Sequence, residues 1–195
     1  MKQRDGRAWQ RMLSGRRLDL LNPSPLDIEI EDIAHGLARV SRWNGQTIGA
    51  HAFSVAQHCL LVEQITAGLM PRIAREGRLM ALLHDAPEYV VGDLISPFKA
   101  AVGIDYKDFE LRLLASIHLR FGLPARAPRE LLSVLKRADH ISAYWEATQL
   151  AGFDEPEARR FFGTPPQSLK PPILIPLPPN EAQESYLDRF GRLSP

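Results

Sequence analysis

Apolar residues along the chain fall into stripes of helical period, separated by breaks rich in polar residues, glycine or proline. From Asp32 the period is helical. Ile33, Leu37 and Val40 share one face, and the two glycines of "SRWNGQTIG" end it. A second helix is predicted over residues 52–68, with Phe53, Val55, Ala56, Cys59, Leu60 and Val62 mostly inward. Pro71 suits the first turn of a third helix, which would run through Leu79, Leu82 and Leu83 to the His84-Asp85 pair. A loop with Gly92 and Pro97 follows. Residues 105–121 predict a fourth helix, with Phe109, Leu113, Ile117 and Phe121 in register, and Pro128 opens a fifth that carries "ELLSVLKRADHISAYWEATQLA". After the proline-rich "GTPPQSLKPPILIPLPPN", the segment "EAQESYLDRFGRL" predicts a short last helix. Only the first thirty residues resist the helical period. There "RRLDLLNPSPLDIEIED" alternates apolar and polar positions about Asn22-Pro23-Ser24-Pro25, which predicts two short extended pieces around a turn.

The pattern predicts an all-α chain in three parts. Residues 1–30 form an irregular N-terminal arm, 31–162 a helical bundle, and 163–195 a proline-rich tail with a short terminal helix packed on the bundle. The apolar residues of the tail call for burial, which favours an ordered wrap over a free polyproline ligand.

Composition narrows the function classes. The 195 residues are 45% hydrophobic and 24% charged, with a net charge of +1, so the chain lacks the basic surplus of a nucleic-acid binder. Its single cysteine, Cys59, excludes an internal disulfide and a thiolate-rich zinc site. No apolar run has the length of a membrane span, and "MKQRDGRAWQRMLSGRR" lacks the apolar middle of a signal peptide. The expectation is a cytoplasmic protein without a nucleic-acid or membrane partner, its basic opening packed as an arm.

Four of the six histidines, His35, His51, His118 and His140, have ready structural readings. His58 stands apart, because it lies in "SVAQHCLLVEQ" on a helix otherwise built of core residues, where an imidazole costs burial energy without a partner. His84 and Asp85 are consecutive and point about 100° apart on a regular helix. They converge on one ion only near a helix end, and the break before Gly92 permits that. Asp139 interrupts the apolar stripe of the fifth helix. Together, two imidazoles and two carboxylates give a mixed nitrogen and oxygen donor set suited to a divalent ion. The plainer alternative, that the four are buried polar groups paired with one another or with nearby arginines, stays open on spacing alone.

At these residues the sequence resembles the HD-domain phosphohydrolases, and most closely the bacterial 5'-deoxynucleotidases of that superfamily. The likeness covers roughly residues 32–150 and rests on "SVAQHCLLV", "LLHDAPEYVVGDLISPFK" and "LKRADHISAYWEATQL", with Arg42-Trp43 in "SRWNGQ" as a fourth match. The resemblance implies an HD-domain helical bundle. It implies His58, His84, Asp85 and Asp139 as ligands of a divalent metal (Mn, Co, Fe, Ni, Zn or Mg). It implies Glu88 and Asp93 as acids that act in catalysis, and Arg42, Trp43 and Lys99 as substrate-binding residues. The arm, the tail and the "NGQTIGAHAF" insert have no counterpart in that pattern.

The function implied is removal of the 5'-phosphate of a (deoxy)nucleoside monophosphate by metal-activated water, with a small-molecule nucleotide as partner. A homodimer is compatible with the tail's apolar residues. Two alternatives are an HD-type hydrolase of another nucleotide (a deoxynucleoside triphosphate, guanosine polyphosphate or cyclic dinucleotide) and a non-catalytic nucleotide-binding regulatory module. Tyr89 stands where the polyphosphate hydrolases carry an acid, in their His-Asp-x-x-Glu-Asp pattern. Each secondary residue also has a bland reading: Glu88 as a solvated helix-end acid, Asp93 as a turn residue, Lys99 as a surface lysine, Trp43 as a packing aromatic, and Arg137 as a salt-bridge partner.

Overall fold

An amphipathic helix shows one buried face, whereas a helix buried on every side must lie at the centre of its fold. Helix α2 (Val55–Leu69) is of the second kind, with ten of its fifteen residues buried. Ser54 caps it, its hydroxyl accepting the Gln57 N–H at 3.3 Å. The structure is a computed structural model that describes residues 8–93 and 106–194. Helix α1 spans Ile30–Leu37, α3 Arg75–Leu82, α4 Glu88–Val91, α5 Tyr106–Arg120, α6 Arg129–Gln149, α7 Glu155–Phe162 and α8 Pro179–Leu193. Helices α1, α3, α6 and α8 all pack on α2, α4 packs on α1, and α7 on α6. The described residues are mostly helical, and their strands form one two-stranded sheet. None of their helices is long and apolar enough to cross a membrane.

Of the two extended pieces expected around residues 22–25, the first is present as the strand Arg17–Asp19, but its ladder partner lies upstream and not beyond the turn. A hairpin results, with β1 (Trp9–Arg11) antiparallel to β2 (Arg17–Asp19) and Gln10 opposite Leu18. The Pro25–Asp27 stretch is instead a single 3-10 turn, because Pro23 and Pro25 have no N–H for a ladder and the Ser24 hydroxyl caps the Leu26 N–H at 3.3 Å. The hairpin is bound to the helices. Leu18 is fully buried, and Asp32 on α1 accepts hydrogen bonds from the Ser14 N–H at 3.0 Å and its hydroxyl at 2.5 Å.

Two further boundaries differ. Helix α3 begins at Arg75 and not at Pro71, since the Ile73 N–H turns back to the Met70 carbonyl and Ala74 is extended. Helix α7 was not expected from the pattern. It is short and polar, but Asp154 accepts the Glu157 N–H at 2.8 Å, the cap that its Asp-Glu-Pro-Glu start encodes.

The proline-rich tail is held on the bundle by two glutamines, which supply the backbone partners that an extended segment otherwise lacks. Gln57 on α2 donates to the Ile175 carbonyl at 2.8 Å and accepts from the Leu177 N–H at 3.1 Å. Gln149 on α6 treats Pro172 and Leu174 in the same way, at 3.1 Å each. Replacing Gln57 by Ala is expected to cost about 1–3 kcal/mol, because two tail backbone groups lose their partner. Limited proteolysis with subtilisin should then cut the 170–178 segment faster than in the parent; unchanged cleavage would mean that other contacts hold the tail.

Gly36 sets the approach of α1 to α4. A Cβ there would stand 2.8 Å from the Tyr89 Cβ and 2.9 Å from the Tyr89 carbonyl oxygen. Gly36→Ala must therefore push α4 away, at an expected cost of about 1–3 kcal/mol in thermal or urea unfolding.

Candidate metal centre

Helix α3 ends at Leu82, two residues short of the His84-Asp85 pair. The chain then proceeds by tight i to i+3 turns, with the Ala86 N–H on the Leu83 carbonyl at 3.0 Å and the Glu88 N–H on the Asp85 carbonyl at 3.0 Å. This tightening turns His84 and Asp85 toward the same side, where α2 delivers His58 and α6 delivers Asp139.

Both imidazoles are oriented through Nδ1. In His84 that nitrogen donates to the Ala81 carbonyl at 2.9 Å. In His58 it lies 2.6 Å from Glu146 Oε1 and 3.2 Å from the Ser142 hydroxyl, which in turn donates to the same carboxylate oxygen at 2.7 Å. An N–H at Nδ1 leaves the lone pair at Nε2. The two Nε2 atoms are buried and make no well-directed hydrogen bond. One donor atom each from His58, His84 and Asp139 lies within 4.8 Å of the other two. Asp85 Oδ2 stands 3.4 Å from His58 Nε2 and 3.1 Å from His84 Nε2. Three converging donors, with a fourth beside both imidazoles and each imidazole fixed from behind, could hold a metal ion.

Without an ion the charges hold one another. Burial opposes protonation of His84, but Asp85 outweighs it and pushes its pKa up to about 10. Burial and Arg42 oppose protonation of His58, and the carboxylates of Glu146, Asp139 and Asp85 overcome both. Burial would raise the pKa of Asp85 and of Asp139. The imidazoles bring both down, the Asp85 carboxyl well below the usual carboxylate range.

Glu88 opens α4 and is buried, and its charge helps raise the pKa of the Cys59 thiol, which burial raises most. His84 lowers the pKa of the same thiol, so Glu88 lies within electrostatic reach of the cluster. Asp93 accepts from Arg42 Nη1 at 2.9 Å. Arg42 also donates through Nε to Glu146 Oε2 at 3.2 Å, and the Trp43 indole N–H donates to the same oxygen at 2.9 Å. Trp43 has φ of +56° and packs its ring on Phe153 and Phe162. Lys99 lies outside the described residues. Arg137, weighed above as an ion-pair partner, makes no salt bridge among the described residues.

Glu146 went unseen in the sequence. It gathers Arg42, Trp43, His58 and Ser142 on one fully buried carboxylate. The signal that marks it is an acid two turns beyond Asp139 on one helix face, where Ser142 and Glu146 are buried.

A cavity of about 810 Å³ opens beside the cluster, with His84 and Asp139 in its wall. Met80 on α3, helices α5 and α6, and the loop between those two supply the rest of the lining.

No family model matches the chain. An uncharacterized protein of Rhodobacter capsulatus is 58% identical to it over 184 residues, 94% of each chain. The chain belongs to that protein's family. Since this relative of the family is itself uncharacterized, it brings no activity to the site, and the chemistry rests on the geometry above.

Proposed function

We propose that the chain is an HD-domain, metal-dependent phosphohydrolase that removes the 5'-phosphate of (deoxy)nucleoside monophosphates. The observation that carries the reading is the pair of imidazoles fixed through Nδ1, with buried Nε2 atoms converging on two carboxylates beside a cavity. His58, His84, Asp85 and Asp139 hold the ion. A bound divalent ion supplies an acidified water and a Lewis acid for the phosphoryl oxygens.

The remaining work falls to the protein. Glu88, one turn beyond Asp85, takes the proton of the attacking water or passes it to the leaving 5'-oxygen. Arg42 holds Asp93 and Glu146 with two guanidinium nitrogens and keeps Nη2 for phosphate. Trp43 stands beside it on the same turn, where its bulk restricts the sugar that can approach. Lys99 is a second phosphate contact. Buried Glu146 keeps the His58 ring turned so that Nε2 faces the ion.

The test is protein purified without chelator, its metal content determined, and a substrate panel of 5'-deoxynucleoside monophosphates, ribonucleotides and triphosphates. Phosphate release from monophosphates that stops on chelation, and that Glu88→Ala abolishes, is expected. Turnover of a triphosphate with none of any monophosphate would overturn the choice of substrate.

A further inference from the structure

The cavity has more cationic character than one phosphate at a metal needs. Arg112 on α5, Arg126 in the following loop and Lys136 on α6 line it, against a single acid, Asp108, away from the cluster. None of the three cations has a hydrogen bond or ion pair among the described residues. Exposed cations at scattered positions need no explanation, but three around one cavity of overall near-neutral protein concentrate positive charge at one place.

A second observation points to a ligand. His118 lines the same cavity and is only 3% exposed, yet neither of its ring nitrogens makes a well-formed hydrogen bond. The carbonyls of Ala125 and Pro124 lie near the ring and favour its charged form, but burial outweighs them and holds its pKa down. A neutral imidazole still carries one N–H donor, which these carbonyls meet only with poor geometry, and an acceptor in the cavity would complete it. The rest of the wall is largely aliphatic, through Leu111, Leu114, Leu132 and Leu135, which suits the body of a ligand between its polar ends.

We propose that this cavity is a second phosphate-binding site, in which Arg112, Arg126 and Lys136 meet an anionic group and His118 donates to it. The ligand that places one phosphate at the His58–His84–Asp139 cluster would then carry a further phosphate. This rests on the reading of the cluster as the site of phosphate hydrolysis, and it adds that a nucleotide with a further phosphate group is held more tightly than its monophosphate.

The experiment is calorimetric binding of deoxyadenosine 5'-monophosphate, 3',5'-bisphosphate and 5'-diphosphate. It uses the full chain, both after chelator treatment and reloaded with Mn²⁺ in a Glu88→Gln background that blocks turnover. One of the two doubly phosphorylated probes should bind at least about tenfold tighter than the monophosphate. The triple variant Arg112→Gln, Arg126→Gln, Lys136→Gln should erase that advantage in both states. A triple variant at exposed cations away from the cavity, Arg159→Gln, Lys170→Gln and Arg192→Gln, should keep it. His118→Phe preserves ring volume and should lower the affinity for the same probe severalfold with metal content unchanged. Equal affinity for all three probes, or an advantage lost equally in both triple variants, overturns the inference. If the protein takes up no metal but the cavity variants still remove the advantage, the inference holds and the hydrolytic reading falls. If monophosphates are hydrolysed and a further phosphate gains nothing, the reverse is true.

Discussion

Replacing Glu146 by Ala is expected to lower stability by about 3–5 kcal/mol, the range for removing one partner of a buried charge network. The carboxylate is fully buried and accepts from four groups: the His58 imidazole at 2.6 Å, the Ser142 hydroxyl at 2.7 Å, the Trp43 indole at 2.9 Å and the Arg42 guanidinium at 3.2 Å. Burial alone would raise its pKa, but Arg42 and His58 outweigh burial and hold it well below the usual carboxylate range, so it is charged at any working pH. Truncation leaves the Arg42 side chain, only 15% exposed, with Asp93 alone, and strands three donors. Urea unfolding measures the loss. A change below about 1 kcal/mol would place the network among ordinary surface pairs and sink the account. Glu146→Gln separates two roles. It preserves shape and an acceptor for His58, so its stability loss should be smaller. Metal affinity should still drop about 10–100-fold, the usual cost of a lost outer partner.

The second large effect is on the ion itself. His84→Ala should lower metal affinity by more than the 10–100-fold that an outer partner costs, because a donor atom is gone. It should also abolish hydrolysis, while the fold survives, since His84 lies at a turn after α3. Metal content after dialysis decides it, and unchanged content would remove His84 from the ligand set. Acidity gives an independent check. In the metal-free protein His84 is protonated until about pH 10, so uptake of an ion must displace its proton and that of His58. Affinity should therefore rise with pH across the neutral range, by up to about a hundredfold per unit if two protons leave. Stability of the metal-free protein runs the other way. Its raised imidazole pKa contributes fully below the unfolded value near 6.5 and is lost as pH climbs toward about 10. Unfolding with and without metal at pH 6 and pH 9 should show opposite trends. Parallel trends would mean that the imidazoles do not change protonation on metal binding.

Helical period carried most of the fold, because α2, α5 and α6 are long enough for the spacing of apolar residues to be unambiguous. It failed where a side chain and not a period decides the local geometry: Ser24 capping a 3-10 turn, Asp154 starting α7, Met70 turning Ile73 back before α3. His58 and Asp139 stood out as polar positions on apolar helices and His84 as the end of one, whereas spacing alone left their convergence open and the family resemblance supplied it. Glu146 did not stand out, for it sits in the run from Ile141 to Ala147 that is buried on every side and reads as one more polar residue until its partners arrive from α2 and the Arg42 turn. The three cavity cations were equally hidden, as isolated Arg and Lys residues on α5, its loop and α6 have no common signature in one dimension.

Helix α2 carries its polar side chains outward in different directions. Gln57 reaches the tail, His58 reaches α6, and Glu63 accepts from Arg78 on α3 and Arg189 on α8. On a ribosome these residues emerge early, but their partners follow in stages, at 78, 146, 175 and finally 189. Until residue 175 is made Gln57 has no tail to receive it, and until 189 is made Glu63 has Arg78 as its one cation. The nascent chain should therefore gain native structure late and abruptly, and a stalled chain ending before α8 should be a substrate for chaperones and proteases rather than a folded domain with a loose end.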